Sequence, residues 1–473
     1  MKTTSFSRAT LSAGAKLALL LLVGASAAVA NMTPCVLPEG TLPNDVRLQP
    51  LKTLAGEFPF VPPKTIEEWN VRAEHVRRQI LVSLGLWPMP VKTPLNAVVT
   101  RKIDRGDYTV ENVYFEGVPG FYVTGNLYRP KNKSGKLPAV LCPHGHWPNG
   151  RFMEYGATQV LEEIARGAER FEEGGRNVIQ ARCVQLARMG CIVFAYDMIG
   201  YGDMTQIPLN LAHAVDEHGW VKPRPAMNTL ENWGFYSAQA EAHLQGIMGL
   251  QTWDSIRALD FLLGLPDVDP ARVGCTGASG GGTQTFILGA IDDRLKVAFP
   301  AVMVSAEMLQ GGCTCENADG LRIGTGNVEF AALFAPKPLG MTSANDWTIN
   351  MATKGFPELH QLYELWGAED NVTLTSLPQF AHNYNSVSRT AMYAWFNWHF
   401  HLGFTGPIVE KDYRRLTREE ATVWDAAHPP PPGGRPSNAS SCERSRLTLQ
   451  PSSVRSRTSR RSFGRLPARP STC

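Results

Sequence analysis

The sequence has few cysteines, no long apolar run beyond its start, and no visible internal repeat. Its nine cysteines in 473 residues are too sparse for a disulfide-built scaffold, which concentrates cysteines in a short chain. Beyond residue 30, no apolar run reaches the ~20 residues that span a membrane. Cys142, Cys191 and Cys275 stand in apolar strand-like runs and are expected to be buried thiols. Cys313 and Cys315 are too close in sequence to bridge each other comfortably.

Basic residues are concentrated at the two ends of the chain. Residues 435–473 contain nine Arg and one Glu, and the first 30 residues contain three basic residues and no acidic one. Because the whole chain carries +3, residues 31–434 carry −8. An acidic folded part lacks the basic surface that binds nucleic acid, so we expect no nucleic-acid partner.

Both ends predict segments that lie outside a folded core. A basic start, a short apolar run and Ala28-Val29-Ala30 predict that residues 1–30 are a secretory signal. We therefore expect an exported protein, periplasmic or extracellular, with no membrane contact once the signal is removed; an uncleaved anchor is the alternative. Residues 426–473 are rich in Pro, Ser and Arg and predict a disordered tail. The sequence leaves the oligomeric state open.

Between these ends, strands alternate with helices. Residues 31–100 predict an N-terminal extension with one helix, begun by a capping box at Thr65 and Glu68. Residues 101–425 predict one α/β domain with a mostly parallel sheet, helices on both faces and an antiparallel hairpin at one edge. Strands are expected at YTVENVYF, FYVTGNLYRP, LPAVLCPHG, CIVFAYDMIGYGD, ARVGCTGAS, VAFPAVMVSA, KPLGMTSAND and NVTLTSLPQFAH.

The stretch TGASGGGTQ, residues 276–284, allows two interpretations. A dinucleotide-binding turn belongs on the first strand and needs an acidic residue about 20 positions later. Here several strands precede the turn, and the acid Glu307 comes too late. The pattern G-x-S-x-G between a strand and a helix instead predicts a sharp turn that presents Ser279 as a nucleophile. A plain glycine turn is the remaining alternative.

Partners for a serine nucleophile are expected at the carboxyl ends of later strands. Asp346 follows KPLGMTSA, and His382 follows NVTLTSLPQFA. Serine, acid and histidine then occur in the chain order of α/β-hydrolases. Glu307 is a rival acid after the strand that follows the nucleophile, whereas Asp370 precedes its strand and lies at the wrong edge. The sequence therefore predicts the triad Ser279, Asp346 and His382.

The loop after LPAVLCP carries His144-Gly145-His146-Trp147. A developing oxyanion needs two backbone N–H donors, and we assign them to His146 and to Gly280, the residue after the nucleophile. His144-x-His146, with Asp197, also matches part of a metal site. No third and fourth ligand stands at a telling spacing, so we expect no metal and no cofactor.

Several motifs together resemble secreted bacterial α/β-hydrolases of the acetyl xylan esterase-like group: HGHW, DMIGYGD, GASGGGTQ, MLQGGCTCENADGLR, SANDW and FAHNYN. The resemblance covers residues 60–425 and implies the same triad. It implies an α/β-hydrolase fold. Residues 203–247 and 305–336 are long insertions after strand carboxyl ends and are expected to form a cap. Pocket residues are expected at Cys315, Glu316 and Asn317, with a structural loop as the alternative. Trp147 and Trp347 are expected to stack on a sugar ring, with ordinary packing as the alternative.

The expected chemistry is hydrolysis of a carboxylic ester through an acyl-serine, with a small-molecule or carbohydrate ester as substrate. The resemblance favours an acetyl xylan-type ester. Two alternatives stay open: a serine peptidase of the prolyl oligopeptidase kind, and a hydrolase-like binding protein that has lost catalysis.

Overall fold

The computed structural model describes residues 37, 38, 40–45, 48, 56–131, 133–213, 243–307 and 313–431. Residues 52–473 cluster into one compact unit and residues 1–51 into another. The predicted signal, nearly all of the predicted tail and much of the cap expected at 203–247 lie outside the described residues. The domain boundaries at 30, 100 and 425 stay predictions.

One nine-stranded sheet runs through the described residues. Its strands are β1 (Val98–Asp104), β2 (Tyr108–Val118), β3 (Phe121–Pro130), β4 (Leu137–Leu141), β5 (Ile192–Tyr196), β6 (Val268–Ala278), β7 (Val297–Ala301), β8 (Leu339–Ala344) and β9 (Val372–Leu377). The spatial order is β1-β2-β3-β5-β4-β6-β7-β8-β9. The pairs from β5 through β4 to β9 are parallel, and those from β1 to β5 are antiparallel. The predicted mostly parallel sheet with an antiparallel edge is confirmed.

Helices cover both faces of this sheet. They are α1 (Ile66–Ser83), α2 (Ala157–Ala165), α3 (Glu172–Arg176), α4 (Val178–Arg188), α5 (Leu209–Ala212), α6 (Ile247–Leu263), α7 (Gly280–Ile291), α8 (Asn327–Ala332), α9 (Phe356–Glu364), α10 (Ser386–Phe400) and α11 (Arg418–Ala421). Consecutive strand residues point to opposite faces, so Leu141 packs with α6 and α7 in one apolar cluster. Val140 packs with α4 and α10 in the other.

The helix predicted in the N-terminal extension is confirmed as α1. The Thr65 hydroxyl accepts a hydrogen bond from the Glu68 N–H at 3.2 Å, as an N-cap residue does. Trp69, Val76 and Ile80 are buried in the same cluster as α6 and α7. Burial of such side chains stabilises the fold by about 1.5–3 kcal/mol each, so α1 is part of the core that supports the sheet.

The sequence pattern missed strand β1 and helices α2, α3, α5, α8 and α11. Strand β1 alternates only between half-buried and exposed positions, because it lies at the edge of the sheet, so it shows little hydrophobic alternation. Helix α2 buries only Val160. The other four helices have four to six residues each, too few for a helical period to stand out. Among the described residues, no helix combines the length and apolar character needed to cross a membrane.

Candidate active site

Ser279 occupies a one-residue turn between β6 and α7. Its backbone has φ 57° and ψ −128°, a left-handed conformation that strains any residue with a side chain. The Ser279 N–H donates to the Ala301 carbonyl on β7 at 3.2 Å, which fixes the turn against the neighbouring strand. The strand–turn–helix placement predicted for this serine is the one observed, and its residual exposure is 8%.

The glycines around Ser279 are required by close backbone approach. A Cβ at Gly277 would lie 2.5 Å from the Gly281 carbonyl oxygen, and a Cβ at Gly281 would lie 2.5 Å from the Pro143 carbonyl oxygen. Neither oxygen can move without displacing backbone, because Gly281 lies in the first turn of α7 and Pro143 lies just after β4. Only glycine therefore fits two residues before and two residues after Ser279, which is the physical content of the G-x-S-x-G spacing.

Asp346 and His382 meet at the same edge of the sheet. Asp346 follows β8 and His382 follows β9, the adjacent parallel strand. His382 Nδ1 lies 2.7 Å from Asp346 Oδ2, a charge-assisted hydrogen bond. With the Nδ1 proton held by the carboxylate, the Nε2 lone pair is left to accept a proton. The imidazole is 29% exposed and the carboxylate 5%, so this pair opens toward solvent on the histidine side.

The rest of the Asp346 carboxylate is fixed by Thr348. Oδ1 accepts from the Thr348 N–H at 2.7 Å and from the Thr348 hydroxyl at 2.5 Å. The rival acid Glu307 lies elsewhere: its oxygens accept from Asn350 at 2.7 Å and from Lys354 at 2.9 Å. The structure thus brings Asp346, and not Glu307, to the histidine.

A buried ion network anchors the segment that carries His382. The Arg389 guanidinium is fully buried and donates to Glu169 at 2.8 and 3.0 Å and to Glu410 at 2.5 and 2.7 Å. It also donates to the Tyr384 carbonyl at 2.8 Å, two residues after His382. Two carboxylates around one guanidinium satisfy its fork of donors, which makes burial of the charges tolerable.

Trp347 lies directly against the predicted base. Its ring centroid is 4.5 Å from that of His382, with the planes tilted by 38°. Its indole Nε1 is buried and has no hydrogen-bond partner among the described residues. Trp147, the other tryptophan expected to stack on a sugar, is only 8% exposed and packs in the cluster of α4 and α10. The roles of both rings in substrate binding stay predictions.

The two histidines of the loop after β4 differ in their surroundings. His144 is buried; its Nδ1 lies 2.8 Å from the Gly145 carbonyl, and its Nε2 accepts from the Met198 N–H at 3.1 Å. Burial lowers the pKa of His144 to about 3, so this ring stays neutral. His146 is part-exposed, and its ring lies beside the Ser279 turn: a Cβ at Gly280 would be 3.0 Å from His146 Cε1. The oxyanion roles of His146 and Gly280 stay predictions.

Glu316 and Asn317 follow the Cys313-Thr-Cys315 segment, next to the same turn. A Cβ at Gly280 would lie 3.1 Å from Glu316 Oε1. Burial raises the pKa of Glu316 to about 7, against the opposing pull of the His146 ring. The Asn317 amide donates to the Cys313 carbonyl at 2.9 Å. Glu316 therefore lies close to the predicted site. The hydrogen bond from the Asn317 amide to the Cys313 carbonyl joins two residues of the same loop.

The sequence did not indicate that four residues, His146, His213, Cys313 and Cys315, form one group. Their ligand-type atoms all lie within 4.8 Å of one another. The H-x-H and C-x-C patterns were visible in the sequence, but nothing in it joined them to each other or to His213, the residue after α5.

Comparison with known proteins finds similarity to hydrolases and esterases. No family model matches. A protein of Bacillus subtilis (strain 168) named as a hydrolase, YtaP, is 26% identical over 238 residues, which are 48% of this chain and 62% of YtaP. The chain thus spans about three fifths of that relative. A methylesterase of Sodiomyces alcalophilus, 4-O-methyl-glucuronoyl methylesterase 1, is 32% identical over 83 residues, 17% of this chain and 16% of that protein.

Among solved structures, Methylesterase BT1017 matches with a TM-score of 0.55 and 27% identity, covering 74% of this chain and 69% of its own. Acetyl xylan esterases and glucuronoyl esterases also occur among the structural neighbours, with TM-scores of 0.49 and lower. With the parallel sheet and the serine turn at its carboxyl edge, the likeness to Methylesterase BT1017 gives the chain the α/β-hydrolase fold and a resemblance to an esterase that shares it.

Proposed function

We propose that this protein is an exported serine hydrolase that cleaves carboxylic esters through an acyl-enzyme. The observation that carries the proposal is the hydrogen bond between His382 Nδ1 and Asp346 Oδ2, at the sheet edge where Ser279 sits in its strained turn. A serine on such a turn, with an acid–base pair on later strands, is the arrangement of acyl-transferring α/β-hydrolases.

In the proposed mechanism His382 Nε2 takes the Ser279 hydroxyl proton as the serine oxygen bonds to the ester carbonyl carbon. The imidazolium then gives that proton to the leaving alcohol, and the C–O bond of the ester breaks. Water, deprotonated by the same nitrogen, attacks the acyl-serine and frees the acid. Asp346 holds the imidazole tautomer and stabilises its positive charge without taking the proton.

The carbonyl oxygen becomes negative in both steps. The N–H groups of Gly280 and His146 are the proposed donors, supported by the helix N-terminus at Gly280, where backbone N–H groups favour an anion. Loss of one such donor costs about 10²–10³-fold in rate in serine hydrolases.

For the substrate we propose a carbohydrate ester. An acetyl ester of xylan type follows from the motif resemblance. A methyl ester of a sugar acid is the second candidate, favoured by the 27% identity to Methylesterase BT1017. The two differ in which half of the ester becomes the acyl-enzyme: a small acetyl group in the first case, the sugar acid itself in the second. A panel of acetylated sugars, uronic acid methyl esters, aryl esters and peptides distinguishes them and includes the peptidase alternative.

The test of the serine mechanism is a Ser279→Ala variant beside Ser376→Ala, a matched control because Ser376 is an exposed serine on β9 of the same sheet. We expect Ser279→Ala to lower kcat on an aryl acetate by a factor on the order of 10⁴ or more, and Ser376→Ala to leave it unchanged. A fluorophosphonate probe should label the wild type at Ser279. Substantial turnover by Ser279→Ala contradicts the mechanism, and an unlabelled, inactive wild type favours the non-catalytic alternative.

Export is proposed from the signal-like residues 1–30 alone. Edman sequencing of the protein recovered from its natural host should give an N-terminus near residue 31, in the periplasmic or extracellular fraction. Recovery of the intact chain in the cytoplasm contradicts it.

A further inference from the structure

Four side chains with metal-binding atoms converge beside the Ser279 turn. His146 Nε2 lies 3.0 Å from Cys315 Sγ, and His213 Nδ1 lies 3.2 Å from Cys313 Sγ. The two sulfur atoms are 3.2 Å apart, too far for a disulfide bond. All four ligand atoms lie within 4.8 Å of one another. We call these four residues the His/Cys cluster.

The cluster is assembled by the strand order and not by one segment of chain. His146 follows β4, His213 follows α5 in the connection after β5, and the two cysteines follow β7. In space β5, β4, β6 and β7 are consecutive neighbours, and β6 carries Ser279. Three loops from the strands on either side of β6 therefore meet in one place. Thr314 reinforces this junction, because its hydroxyl donates to the Ala212 carbonyl at 2.6 Å.

The histidine rings are oriented with a free nitrogen toward the sulfur atoms. His213 Nε2 lies 2.6 Å from the Ile199 carbonyl, which can only accept, so Nε2 carries the proton and the lone pair is on Nδ1. Outer partners of this kind set the tautomer of histidines that bind metals. For His146, Glu316 Oε1 lies 3.7 Å from Nδ1 and makes no hydrogen bond among the described residues. This carboxylate is available to the Nδ1 proton when Nε2 binds a cation.

We propose that the His/Cys cluster binds one Zn²⁺ ion with tetrahedral geometry. Two sulfur and two nitrogen ligands are typical of zinc in structural sites. With Zn–S near 2.3 Å and Zn–N near 2.0–2.1 Å, tetrahedral ligand atoms lie about 3.4–3.8 Å apart. The three observed contacts of 3.0–3.2 Å would lengthen slightly on binding, and the remaining pairs, which lie within 4.8 Å, would shorten where they exceed this range. Two thiol protons pass to solvent as the ion binds, and the resulting complex of one dication and two thiolates is neutral, as a buried site requires.

Four protein ligands leave no open position on the metal, so its role is to hold structure. The ion joins the loop of His146 to the loop of Glu316. Both side chains lie beside Gly280, because a Cβ at Gly280 would be 3.0 Å from His146 Cε1 and 3.1 Å from Glu316 Oε1. Zinc thereby fixes the backbone on which the proposed oxyanion donors lie. Only this consequence for activity rests on the proposed function; metal binding itself does not.

His144 is excluded from the site although it belongs to the same H-x-H motif. Both of its ring nitrogens are engaged, one with the Gly145 carbonyl and one with the Met198 N–H. The expectation of no metal came from the lack of a third and fourth ligand near this motif. The fold instead supplies three further ligands to His146, from residues 67 to 169 positions along the chain.

The test is metal analysis of the purified full chain after expression with zinc in the medium. We expect about one zinc per chain in the wild type and in Ser279→Ala, and loss of most of it in Cys315→Ser. Cys191→Ala, which removes a buried thiol outside the cluster, is the matched control and should keep its zinc. Because Ser279→Ala removes the proposed nucleophile and no ligand, its zinc content separates failure of this proposal from failure of the proposed function.

A second measurement does not depend on the folding of a variant. Wild-type protein treated with a chelator and given Co²⁺ should show thiolate-to-metal charge transfer in the near ultraviolet and the intense visible bands of tetrahedral Co²⁺. Its melting temperature should rise by several degrees when zinc is added back. Less than a tenth of an equivalent of zinc in the wild type, octahedral cobalt spectra, or a Cys313–Cys315 disulfide found by mass spectrometry in zinc-grown protein would overturn the proposal.

Discussion

The two sides of the Ser279 turn are held by different chemistry. On the β8–β9 side, His382 is hydrogen-bonded to the Asp346 carboxylate, and the buried Arg389 donates to the Tyr384 carbonyl in the same segment. On the side of β4, β5 and β7, the His/Cys cluster brings three loops together. Within the described part of the chain, His382 Nε2 makes no hydrogen bond, and the His382 side chain is 29% exposed, whereas each cluster histidine directs one ring nitrogen to a sulfur atom.

This difference suits His382 to moving a proton and the cluster histidines to fixing a loop. A histidine can act as a base only if one nitrogen stays free and reachable, which is true of His382. A histidine whose nitrogens are both directed at protein partners can only hold position. The same side-chain type thus serves opposite ends of the proposed site, and the second ring nitrogen decides which role it takes.

Among changes that compare the two sides of the Ser279 turn, the largest expected effect is at Asp346. Asp346→Asn keeps the size of the side chain but cannot stabilise the imidazolium or enforce its tautomer. We expect kcat/KM on an aryl acetate to fall about 10³–10⁴-fold. Glu307→Gln, the matched change at the rival acid, should stay within about twofold because Glu307 pairs with Lys354 at the surface. A larger loss in Glu307→Gln than in Asp346→Asn would make Glu307 the functional acid and contradict the role of Asp346.

Breaking the ion network should act on stability. Arg389→Met leaves Glu169 and Glu410 buried without their cation, and we expect the free energy of unfolding to fall by about 3–5 kcal/mol. Urea denaturation measures it. Arg78→Met is the control, because Arg78 is exposed and its partners, Glu74 and the Trp87 ring, are exposed too, so this change should alter stability by less than about 1 kcal/mol. A loss of that small size at Arg389 would mean that the network does not hold the histidine segment.

Removing zinc should cost less activity than changing the acid. Chelation loosens the loop that carries the proposed oxyanion donor but touches no reacting atom, so we expect kcat/KM to fall roughly tenfold. Steady-state kinetics before and after chelation, and again after zinc is restored, measure this. Full activity in zinc-free protein would show that the cluster does not position the oxyanion loop.

The smallest expected effect is a pH dependence at His399 on α10. Burial, helped by the charge of His401, lowers the pKa of His399 to about 4, whereas an unfolded histidine titrates near 6.5. Between these values the unfolded chain binds more protons, so stability is full above pH ~6.5 and declines as the pH falls toward 4. His399→Gln should flatten this decline slightly in urea midpoints measured at several pH values. Identical slopes in the two proteins would remove His399 from the acid response.

Much of the fold and of the candidate site was predictable from local pattern. Helix α1 was recognisable from its N-cap and the helical spacing of its apolar residues. The strands that precede Ser279, Asp346 and His382 were recognisable from their short runs of strand-forming residues. Strand β1 and the helices of four to six residues were not recognisable, since an exposed or very short segment shows little pattern. The sequence favoured Asp346 over Glu307, but only the coordinates exclude Glu307, because both acids follow a strand of the parallel sheet.

By itself, the sequence determined which residues end strands at the carboxyl edge, because this depends on neighbours within a few positions. The glycines around Ser279 were visible in the sequence, but the Pro143 carbonyl that excludes a side chain at Gly281 comes from a distant segment. Only the tertiary structure decided which loops meet across the sheet. The order β5-β4-β6-β7 brings His146 to Cys315 over a separation of 169 residues. Hydrophobic periodicity indicates which face of a strand is buried but not which strand lies beside it. Because the His/Cys cluster depends on which strands are neighbours, it was not predictable from sequence pattern.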